Sequence, residues 1–328
     1  MKKTSFLLML SVIVVASSCK STKFSITTGG ENLGALTRVT DQENPCIDPF
    51  GGDLGENLFF VATDENGFTN IFSKDNAFSA AMTQKTSGRN KNFSPAYNHS
   101  IDKIAFRSRS EGAATSDIMM MNSKKGSSLQ AVTESADAFE DNPSFSPDGN
   151  LIVYDKQSYS VWKKKFNFAS FFGKEDFLIV EKSEIWLKNL KTGENVLLAP
   201  GYQPRFSPDG TKIVYVKYAS DLKSTSIWIM SLDATQQSQL TDAKKGFALD
   251  PRWSPDGKHI IFSSAKKDDK KDFDIYMIDT DGDHLTQLTI NNSTDRGPYW
   301  TQDNYIYFYS DRGNKKGNYQ IWRFKLDL

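Results

Sequence analysis

Residues 143–149 read Pro-Ser-Phe-Ser-Pro-Asp-Gly, and the same frame returns as Pro-Arg-Phe-Ser-Pro-Asp-Gly at 204–210 and as Pro-Arg-Trp-Ser-Pro-Asp-Gly at 251–257. Each copy runs into an alternating apolar stretch that closes on an aromatic residue, at Tyr154, Tyr215 and Phe262 respectively. In Ser-Pro-Asp-Gly, Pro presets φ for the first central turn position, Asp suits the second, and Gly takes the positive φ that follows. The motif therefore predicts a tight hairpin turn between two strands.

Degenerate copies of this frame bring the number of repeats to six. They start at Pro49, Pro95, Pro143, Pro204, Pro251 and Pro298, with spacings of 46, 48, 61, 47 and 47 residues. Each repeat has a third apolar segment with Ile before an aromatic residue or Met, at positions 71, 118, 185, 227, 275 and 321. A fourth segment follows in five repeats, at Met82-Thr83, Val132-Thr133, Leu198-Ala199, Leu240-Thr241 and Leu288-Thr289. Four short strands at a period near 47 predict an all-β fold, a six-bladed β-propeller of four-stranded antiparallel blades.

The sixth repeat stops at Leu328, after its third strand, and the missing fourth strand lies at the other end of the chain. Residues 36–49 match residues 285–298 in frame, from a Leu-Thr pair to the repeat proline. We therefore expect the N-terminal strand 35–40 to pair beside residues 319–326 and close the ring, which removes an open sheet edge.

Composition limits the functions that the chain can have. The 328 residues carry 40 basic and 40 acidic side chains, so a whole-protein electrostatic attraction to nucleic acid is excluded as the main function. Two cysteines exclude a disulfide framework and a cysteine-based zinc ribbon. Three histidines leave little material for metal or acid–base chemistry.

The N-terminus resembles a bacterial lipoprotein signal. Residues 1–18 combine Met-Lys-Lys, a run that is apolar apart from Ser11, and small residues before Cys19. Ala16-Ser-Ser-Cys19 resembles a lipobox, which implies lipidation at Cys19; an ordinary secretory signal cut near Ser18 is the alternative. Residues 19–32 are polar and predict a flexible tether, and residues 33–328 form the propeller. If Cys19 carries lipid, Cys46 has no partner within the chain, and we expect it to be a small packed residue rather than a reactive thiol.

Tandem Pro-x-aromatic-Ser-Pro-Asp-Gly strands with Leu-Thr fourth strands resemble the TolB-type six-bladed propeller with its WD-like repeats. The resemblance covers residues 33–328 and implies a protein-binding role in the periplasm near the outer membrane. TolB carries an α/β domain before its propeller, whereas only about 14 residues separate Cys19 from the predicted propeller here. The chain thus looks like a lipid-anchored relative that lacks this domain.

A search for catalytic chemistry yields little. A Gly-x-Ser-x-Gly elbow, a phosphate loop and a His-x-x-x-His pair are absent from the sequence. His99, His259 and His284 occupy different repeat positions, so we do not expect them to share a metal. The run Asp279-Thr-Asp-Gly-Asp283 resembles the start of a calcium loop but has Ile290 where the twelfth ligand belongs, so a plain turn is favoured. No acid pair or metal cluster is evident at equivalent inner-strand positions, and we predict no catalytic residue, no cofactor and no metal site.

The surface offers two features for binding. Lysine clusters at 163–165, 244–245, 266–267, 270–271 and 315–316 suit a solvated rim or a basic docking face. In the third repeat, about 18 to 20 extra residues separate the second strand from Ile185. This insertion supplies the candidate partner-binding residues, which are Trp162, Lys163, Lys164, Lys165, Phe166, Phe168, Phe171 and Phe172. Its aromatic side chains either pack onto the blade or bind a partner or lipid.

Strand alternation places these features on one side of the ring. The one–two and three–four turns lie on one face, here called the turn face. The two–three loops and the blade-to-blade connections lie on the other, here called the loop face. The long, variable segments all fall on the loop face, at 84–94, 155–183, 218–225, 242–250, 264–273 and 311–319. Because function tends to reside in variable loops on a rigid scaffold, we expect the partner to bind there.

These observations predict a noncatalytic outer-membrane lipoprotein that faces the periplasm, acts as a monomer, and docks an envelope protein without binding nucleic acid. The alternatives are a propeller that processes glycans or peptides in its central channel, and a lipoprotein that binds a soluble ligand or glycan.

Overall fold

The computed structural model describes residues 23–24, 27–28, 31–32, 36–51, 57–124, 128–161, 178–220, 222–266 and 272–327. Within them, six antiparallel blades follow one another along the chain. Five keep their four strands in sequence order, and in the sixth the last strand of the chain pairs with an N-terminal strand. The first strand of every blade contacts the first strand of the next, and the sixth contacts the first. These first strands therefore surround a central channel, and the all-β, six-bladed propeller predicted from the repeats is confirmed.

Each of the first three blades contains four strands. They are Cys46–Gly51, Leu58–Thr63, Thr69–Lys74 and Thr83–Gln84 in blade one; Lys91–Asn98, Lys103–Arg109, Asp117–Asn122 and Gln130–Ala131 in blade two; and Phe139–Phe145, Leu151–Val161, Leu178–Asn189 and Asn195–Pro200 in blade three.

The other three blades follow the same plan. Their strands are Tyr202–Phe206, Lys212–Tyr218, Thr225–Ser231 and Gln237–Gln239 in blade four; Gly246–Trp253, His259–Lys266, Asp274–Asp279 and Thr286–Gln287 in blade five; and Asp295–Trp300, Tyr305–Ser310, Gln320–Lys325 and Leu36–Arg38 in blade six. A short 3-10 helix, Ala243–Lys245, precedes blade five. No helix in the described segments has the length and apolar character needed to cross a membrane.

The N-terminal strand closes the ring as predicted. Leu36–Arg38 pairs antiparallel with Gln320–Lys325, with Arg38 opposite Trp322. Leu36 is buried in a cluster with Trp322 and Phe324. This strand therefore adds a side chain to the hydrophobic core in addition to pairing with the last strand of the chain. Outside it, Lys23–Phe24 adds a fifth strand, and Thr27–Thr28 pairs with Glu31–Asn32.

The repeated apolar positions form the core between the blades. The six closing aromatics of the second strands, which are Phe60, Phe106, Tyr154, Tyr215, Phe262 and Phe308, are 0 to 2% exposed. The six third-strand isoleucines at 71, 118, 185, 227, 275 and 321 are all fully buried. The spacing that revealed the repeat thus marks the residues removed from water, which is the main source of stability in such a ring.

A threonine hydroxyl after the fourth strand accepts a hydrogen bond from the backbone N–H of the third-strand isoleucine in five blades. The pairs are Thr86 with Ile71, Thr133 with Ile118, Thr241 with Ile227, Thr289 with Ile275, and Thr40 with Ile321, at 2.8 to 2.9 Å. In blade one the predicted fourth segment Met82-Thr83 overlaps the fourth strand Thr83–Gln84, and the hydrogen-bonding threonine, Thr86, follows that strand. In blade three Ala199 takes the place of the threonine.

The Ser-Pro-Asp-Gly turns have the predicted geometry. Gly149, Gly210 and Gly257 have φ of 69°, 74° and 71°. In each turn the serine hydroxyl donates to the aspartate two residues on, at 2.6 Å, and accepts from the backbone N–H five residues on. The motif is thus a self-contained turn.

The insertion in blade three lengthens a hairpin. Its second and third strands have 11 and 12 residues and pair out to Val161 opposite Leu178, whereas the second strands elsewhere have six to eight residues. At about 3.3 Å per residue, the extra three to five residues add roughly 10 to 15 Å to the hairpin on the loop face.

Candidate functional site

The residue before each repeat proline has a left-handed backbone in all six blades. These residues are Asp48, Ser94, Asn142, Gln203, Asp250 and Gly297, with φ between 51° and 59°. At each of these positions the pairing of the first strand with the second shifts register. Each first strand therefore carries a β-bulge beside its x-Pro step, and five of the six bulges place a non-glycine residue in a conformation that L-residues disfavour.

Strain repeated around a ring is typical of a functional centre, because bulges re-aim side chains. Here the bulged residues lie on the strands that surround the channel. Their side chains connect neighbouring blades: Gln203 Nε2 donates to Asp250 Oδ1 at 2.8 Å, and the backbone N–H of Asp250 donates to Gln203 Oε1 at 2.8 Å. The bulges thus tie blade four to blade five at the channel wall.

Charged side chains from several blades face one another over this channel. The carboxyl group of Asp48 in blade one interacts electrostatically with Asp141, Asp250, Arg252 and Arg296 in blades three, five and six. Arg205 in blade four also interacts with Asp48, although blades one and four are opposite in the ring. Such cross-ring interactions require that these groups share the central channel.

Two carboxylates of this set form ion pairs with arginines. Arg296 Nη2 lies 2.9 Å from Asp250 Oδ2, and Arg107 Nη1 lies 2.7 Å from Asp141 Oδ2. Although burial acts to raise the pKa of Asp250, the Arg296 guanidinium prevails and the pKa of this carboxyl lies below its ordinary value.

Asp48 and Asp155 behave in the opposite way. Burial, reinforced by the charges of Asp250 and Asp141, raises the pKa of Asp48 to about 6. Burial likewise raises the pKa of Asp155 to about 7, although Asp155 Oδ1 accepts from the backbone N–H of Gln203 at 3.0 Å. Two aspartates of one layer, Asp48 and Asp250, therefore have pKa values shifted in opposite directions.

The sequence-based conclusion that no acid pair occupies equivalent inner-strand positions is therefore wrong. Asp48 and Asp250 both stand directly before a repeat proline and share the channel. The signal was present in the sequence at the x-Pro step. A β-bulge turns the residue before each proline toward the channel. The composition around each proline resembles that of a turn, so the sequence does not reveal this bulge.

Two arginines complete the channel, and neither binds a carboxylate among the described residues. Arg205 is 8% exposed, and its guanidinium donates to the carbonyl oxygens of Asn142 and Pro204, each at 2.8 Å. Arg252 lies with its guanidinium carbon 5.3 Å from the ring centre of Phe50. Burial and the neighbouring Arg205 lower the pKa of Arg252.

The histidines lie away from the channel. His99 and His284 are in hairpin turns and His259 follows one, so all three are at the turn face. Two of them share a carboxylate rather than a metal: Nδ1 of His259 and Nδ1 of His284 each lie 2.7 Å from an oxygen of Asp279. The described residues contain no group of three or more His, Cys, Asp or Glu side chains arranged to hold a metal ion. Asp279 serves a turn, as predicted, with Gly282 N–H donating to its carbonyl oxygen at 3.0 Å.

The binding residues predicted from the sequence fall mostly outside the described part of the chain. Cys19 and the insertion residues Trp162, Lys163, Lys164, Lys165, Phe166, Phe168, Phe171 and Phe172 lie there, so their roles stay predictions. Cys46 is described: it is fully buried, and burial raises the pKa of its thiol to about 11, as expected for a packed residue.

Comparison with known proteins agrees with the fold. Residues 189–327 match the TolB beta propeller domain family. Over 122 residues the chain is 30% identical to an uncharacterized peptidase, YuxL, of Bacillus subtilis, which covers 36% of this chain and 18% of YuxL. The chain spans only about a fifth to a quarter of the length of the curated relatives that it matches.

Solved structures extend the similarity to nearly the whole chain. A putative TolB from Agrobacterium tumefaciens superposes with a TM-score of 0.61 at 16% identity, covering 88% of this chain and 93% of its own. An oligogalacturonate lyase in complex with manganese superposes with a TM-score of 0.59 at 15% identity, covering 94% and 96%. Enzymes therefore stand beside TolB among the similar propellers. Residues 189–327 thus match the TolB β-propeller domain family, and the described part of the chain has the six-bladed propeller fold that TolB shares.

Proposed function

We propose that this protein is a noncatalytic binding propeller of the bacterial cell envelope, anchored by lipid at Cys19 and docking a protein partner on its loop face. The observation that carries the proposal is the blade-three hairpin. Its strands extend several residues beyond those of the other blades and lead into a segment rich in aromatic and lysine residues. The sequence between these two strands supplies aromatic residues, which are enriched in protein interfaces, and the longer hairpin brings that segment to the loop face.

The contrast between the two faces supports this location. The three Ser-Pro-Asp-Gly turns of the turn face satisfy their hydrogen bonds internally, as in the Ser146, Ser207 and Ser254 turns. The longest connection between consecutive strands, 162–177, lies on the loop face, although the turn face also has longer segments at 75–82 and 123–129. Binding residues concentrate on variable loops that a rigid scaffold positions.

A noncatalytic role fits the placement of the histidines. All three lie at the turn face, away from the charged channel, and Asp279 holds two of them. The similarity to TolB propellers supports an interaction scaffold in the envelope, and the lipobox-like Ala16-Ser-Ser-Cys19 supports the anchor.

The docking proposal is tested by shortening the hairpin. Residues 160–178 are replaced by a short Gly-containing turn, and partners are recovered from cross-linked envelopes and identified by mass spectrometry. We expect the folded variant to lose the partners that the unaltered protein recovers. The matched control is Lys191→Glu, a change of an exposed residue in the three–four turn of the same blade. If the hairpin variant still recovers all partners, the insertion packs onto the blade and does not bind the partner.

The anchor is tested separately. Cys19→Ser is expected to release the protein from membrane fractions, because a lipid-modified cysteine is then no longer available. Undiminished membrane association of that variant would contradict the anchor while leaving the docking face intact.

A further inference from the structure

The positions directly after the six repeat prolines form one layer of the first strands, and its side chains differ from blade to blade. They are Phe50, Ala96, Ser144, Arg205, Arg252 and Tyr299. Blades two and three contribute small side chains, blades four and five contribute arginines, and blades six and one contribute aromatic rings. The rings of Phe50 and Tyr299 contact each other, with centres 4.8 Å apart. One side of the layer is therefore cationic and the adjoining side is aromatic.

The ion pairs of the channel leave the two arginines without a carboxylate in direct contact among the described residues, although Asp48, Asp155 and Asp250 act on them from a longer distance. Asp250 is committed to Arg296, and Asp141 is committed to Arg107. The acceptors of Arg205 are the uncharged oxygens of Asn142 and Pro204, and its buried Nε has no acceptor. Arg252 lies over the face of Phe50 and interacts electrostatically with Asp48 and Asp250, but it forms no ion pair among the described residues. Two guanidinium groups on adjacent blades thus lie close together with no carboxylate bound to either.

Such an arrangement favours a bound anion, because Arg205 is buried and Arg252 is partly buried. Buried charge is normally paired, and a buried polar atom left without a partner in a native protein calls for an explanation. Arginine forks match carboxylate or phosphate oxygens in a bidentate geometry. The unsatisfied Arg205 Nε and the unpaired Arg252 therefore point to an anionic ligand.

The surroundings of the arginines favour a single negative charge. Asp48 faces them across the ring and makes no side-chain hydrogen bond within the described part of the chain. A dianionic phosphate would be repelled by Asp48, Asp141 and Asp250. A monocarboxylate brings a single negative charge to the two arginines, and its carbon skeleton can pack against the rings of Phe50 and Tyr299.

We propose that the channel binds a monocarboxylate ligand, held at its carboxylate by Arg205 and Arg252 and at its carbon skeleton by Phe50 and Tyr299, with Asp48 facing a polar group of the ligand. This site is independent of the proposed docking on the loop face. It is built from four blades, so it requires the closed ring.

The proposal is tested by calorimetric titration of the detergent-solubilised full chain with paired probes. The acids are phenylacetate and acetyl-Gly-Phe with a free C-terminus, and the matched controls are phenylacetamide and acetyl-Gly-Phe amide. We expect an acid to bind and its amide to bind at least about tenfold more weakly, because the amide lacks the charge that the arginines pair with. Binding of phenylacetate identifies a site for small acids, and binding of the peptide acid alone identifies a site for a peptide C-terminus.

Variants assign the binding to the arginines. Arg252→Gln is expected to weaken binding of the acid by about tenfold or more. Arg252→Lys should weaken binding less, because lysine keeps the positive charge but lacks the two-pronged guanidinium geometry. Lys258→Gln, at an exposed position of the turn face, should bind as the unaltered protein does. Far-UV circular dichroism of Arg252→Gln checks folding. Equal binding of acids and amides, no binding of either acid, or unchanged binding by a folded Arg252→Gln variant would overturn the proposal.

Discussion

The guanidinium of Arg296 in blade six binds the carboxylate of Asp250 in blade five through two nitrogens, with Nη2 2.9 Å and Nε 3.1 Å from Oδ2. Asp250 is in turn bound by Gln203 of blade four. Three consecutive blades are thereby joined at the channel wall, at the bulges that precede the repeat prolines.

Removing Arg296 should destabilise the ring. Arg296→Met leaves Asp250 without its cation in the channel and should lower the free energy of unfolding by about 3 kcal/mol at pH 7. Because the pKa of Asp250 is depressed in the folded protein, the pair contributes stability above the unfolded pKa near 4, and this contribution is lost as pH falls through the folded value. Urea unfolding at pH 7 and pH 3 measures the difference, which should shrink at pH 3.

Arg89→Met is the matched control for this variant. The Arg89 guanidinium also faces a carboxylate, at 3.6 Å from Glu111, but its side chain is 78% exposed. Exposed pairs contribute at most about 1 kcal/mol. If both variants lose the same free energy of unfolding, the Arg296–Asp250 pair contributes no more stability than an exposed ion pair does.

Asp48→Asn should stabilise the protein at neutral pH. The folded-state pKa of about 6 lies above the unfolded value near 4, so the native state binds the proton more tightly. The stability that Asp48 contributes is thus fully present below about pH 4 and is lost as pH rises to about 6. The variant should exceed the unaltered protein by roughly 1 to 3 kcal/mol at pH 7.5 and equal it at pH 4. The difference between the two unfolding curves is the measured quantity, since Asp155 and Asp274 also titrate with raised pKa values in both proteins.

Leu36→Ala should weaken ring closure. Leu36 is 1% exposed and packs with Trp322 and Phe324, so truncating it creates a cavity in blade six and costs about 2 to 4 kcal/mol. The control is Leu285→Ala, at the matching repeat position of blade five, where the leucine is 48% exposed. Thermal unfolding of both variants tests this prediction. Similar melting temperatures would contradict a role for the N-terminal strand in closing the ring.

The Cys46 thiol should report on opening of the ring. In the Cys19→Ser variant it is the only cysteine, and it is buried with a pKa raised to about 11. Maleimide labelling of the native protein should be at least about 100-fold slower than labelling in urea, because reaction requires both exposure and the thiolate. Fast labelling under native conditions would show that the strand Cys46–Gly51 opens locally.

The architecture could be predicted from the sequence because one turn motif recurs with a strand on each side. Gly149, Gly210 and Gly257 fix the turns, and the buried isoleucines and aromatics keep the period, so six blades and their closure follow from spacing alone. Spacing alone did not identify the hydrogen-bonding threonine of blade one: the fourth strand includes Thr83, as predicted, but Thr86 accepts the hydrogen bond from Ile71.

The channel site could not be predicted in the same way. Its residues come from segments about 47 positions apart, and only the left-handed bulge before each proline brings Asp48 and Asp250 to the channel. The pairing of His259 and His284 on Asp279 was hidden for a related reason. It depends on the register that sets His259 opposite Asp279, which repeat spacing does not supply.

The location of the docking surface is the central claim, and site-specific photo-cross-linking in living cells tests it most directly. A photoreactive residue replaces Lys182 at the base of the blade-three hairpin on the loop face, or Lys258 in the blade-five turn on the turn face; both lysines are exposed. The account predicts a protein adduct from position 182 and none from position 258. An adduct from position 258 alone, with none from position 182, would contradict it.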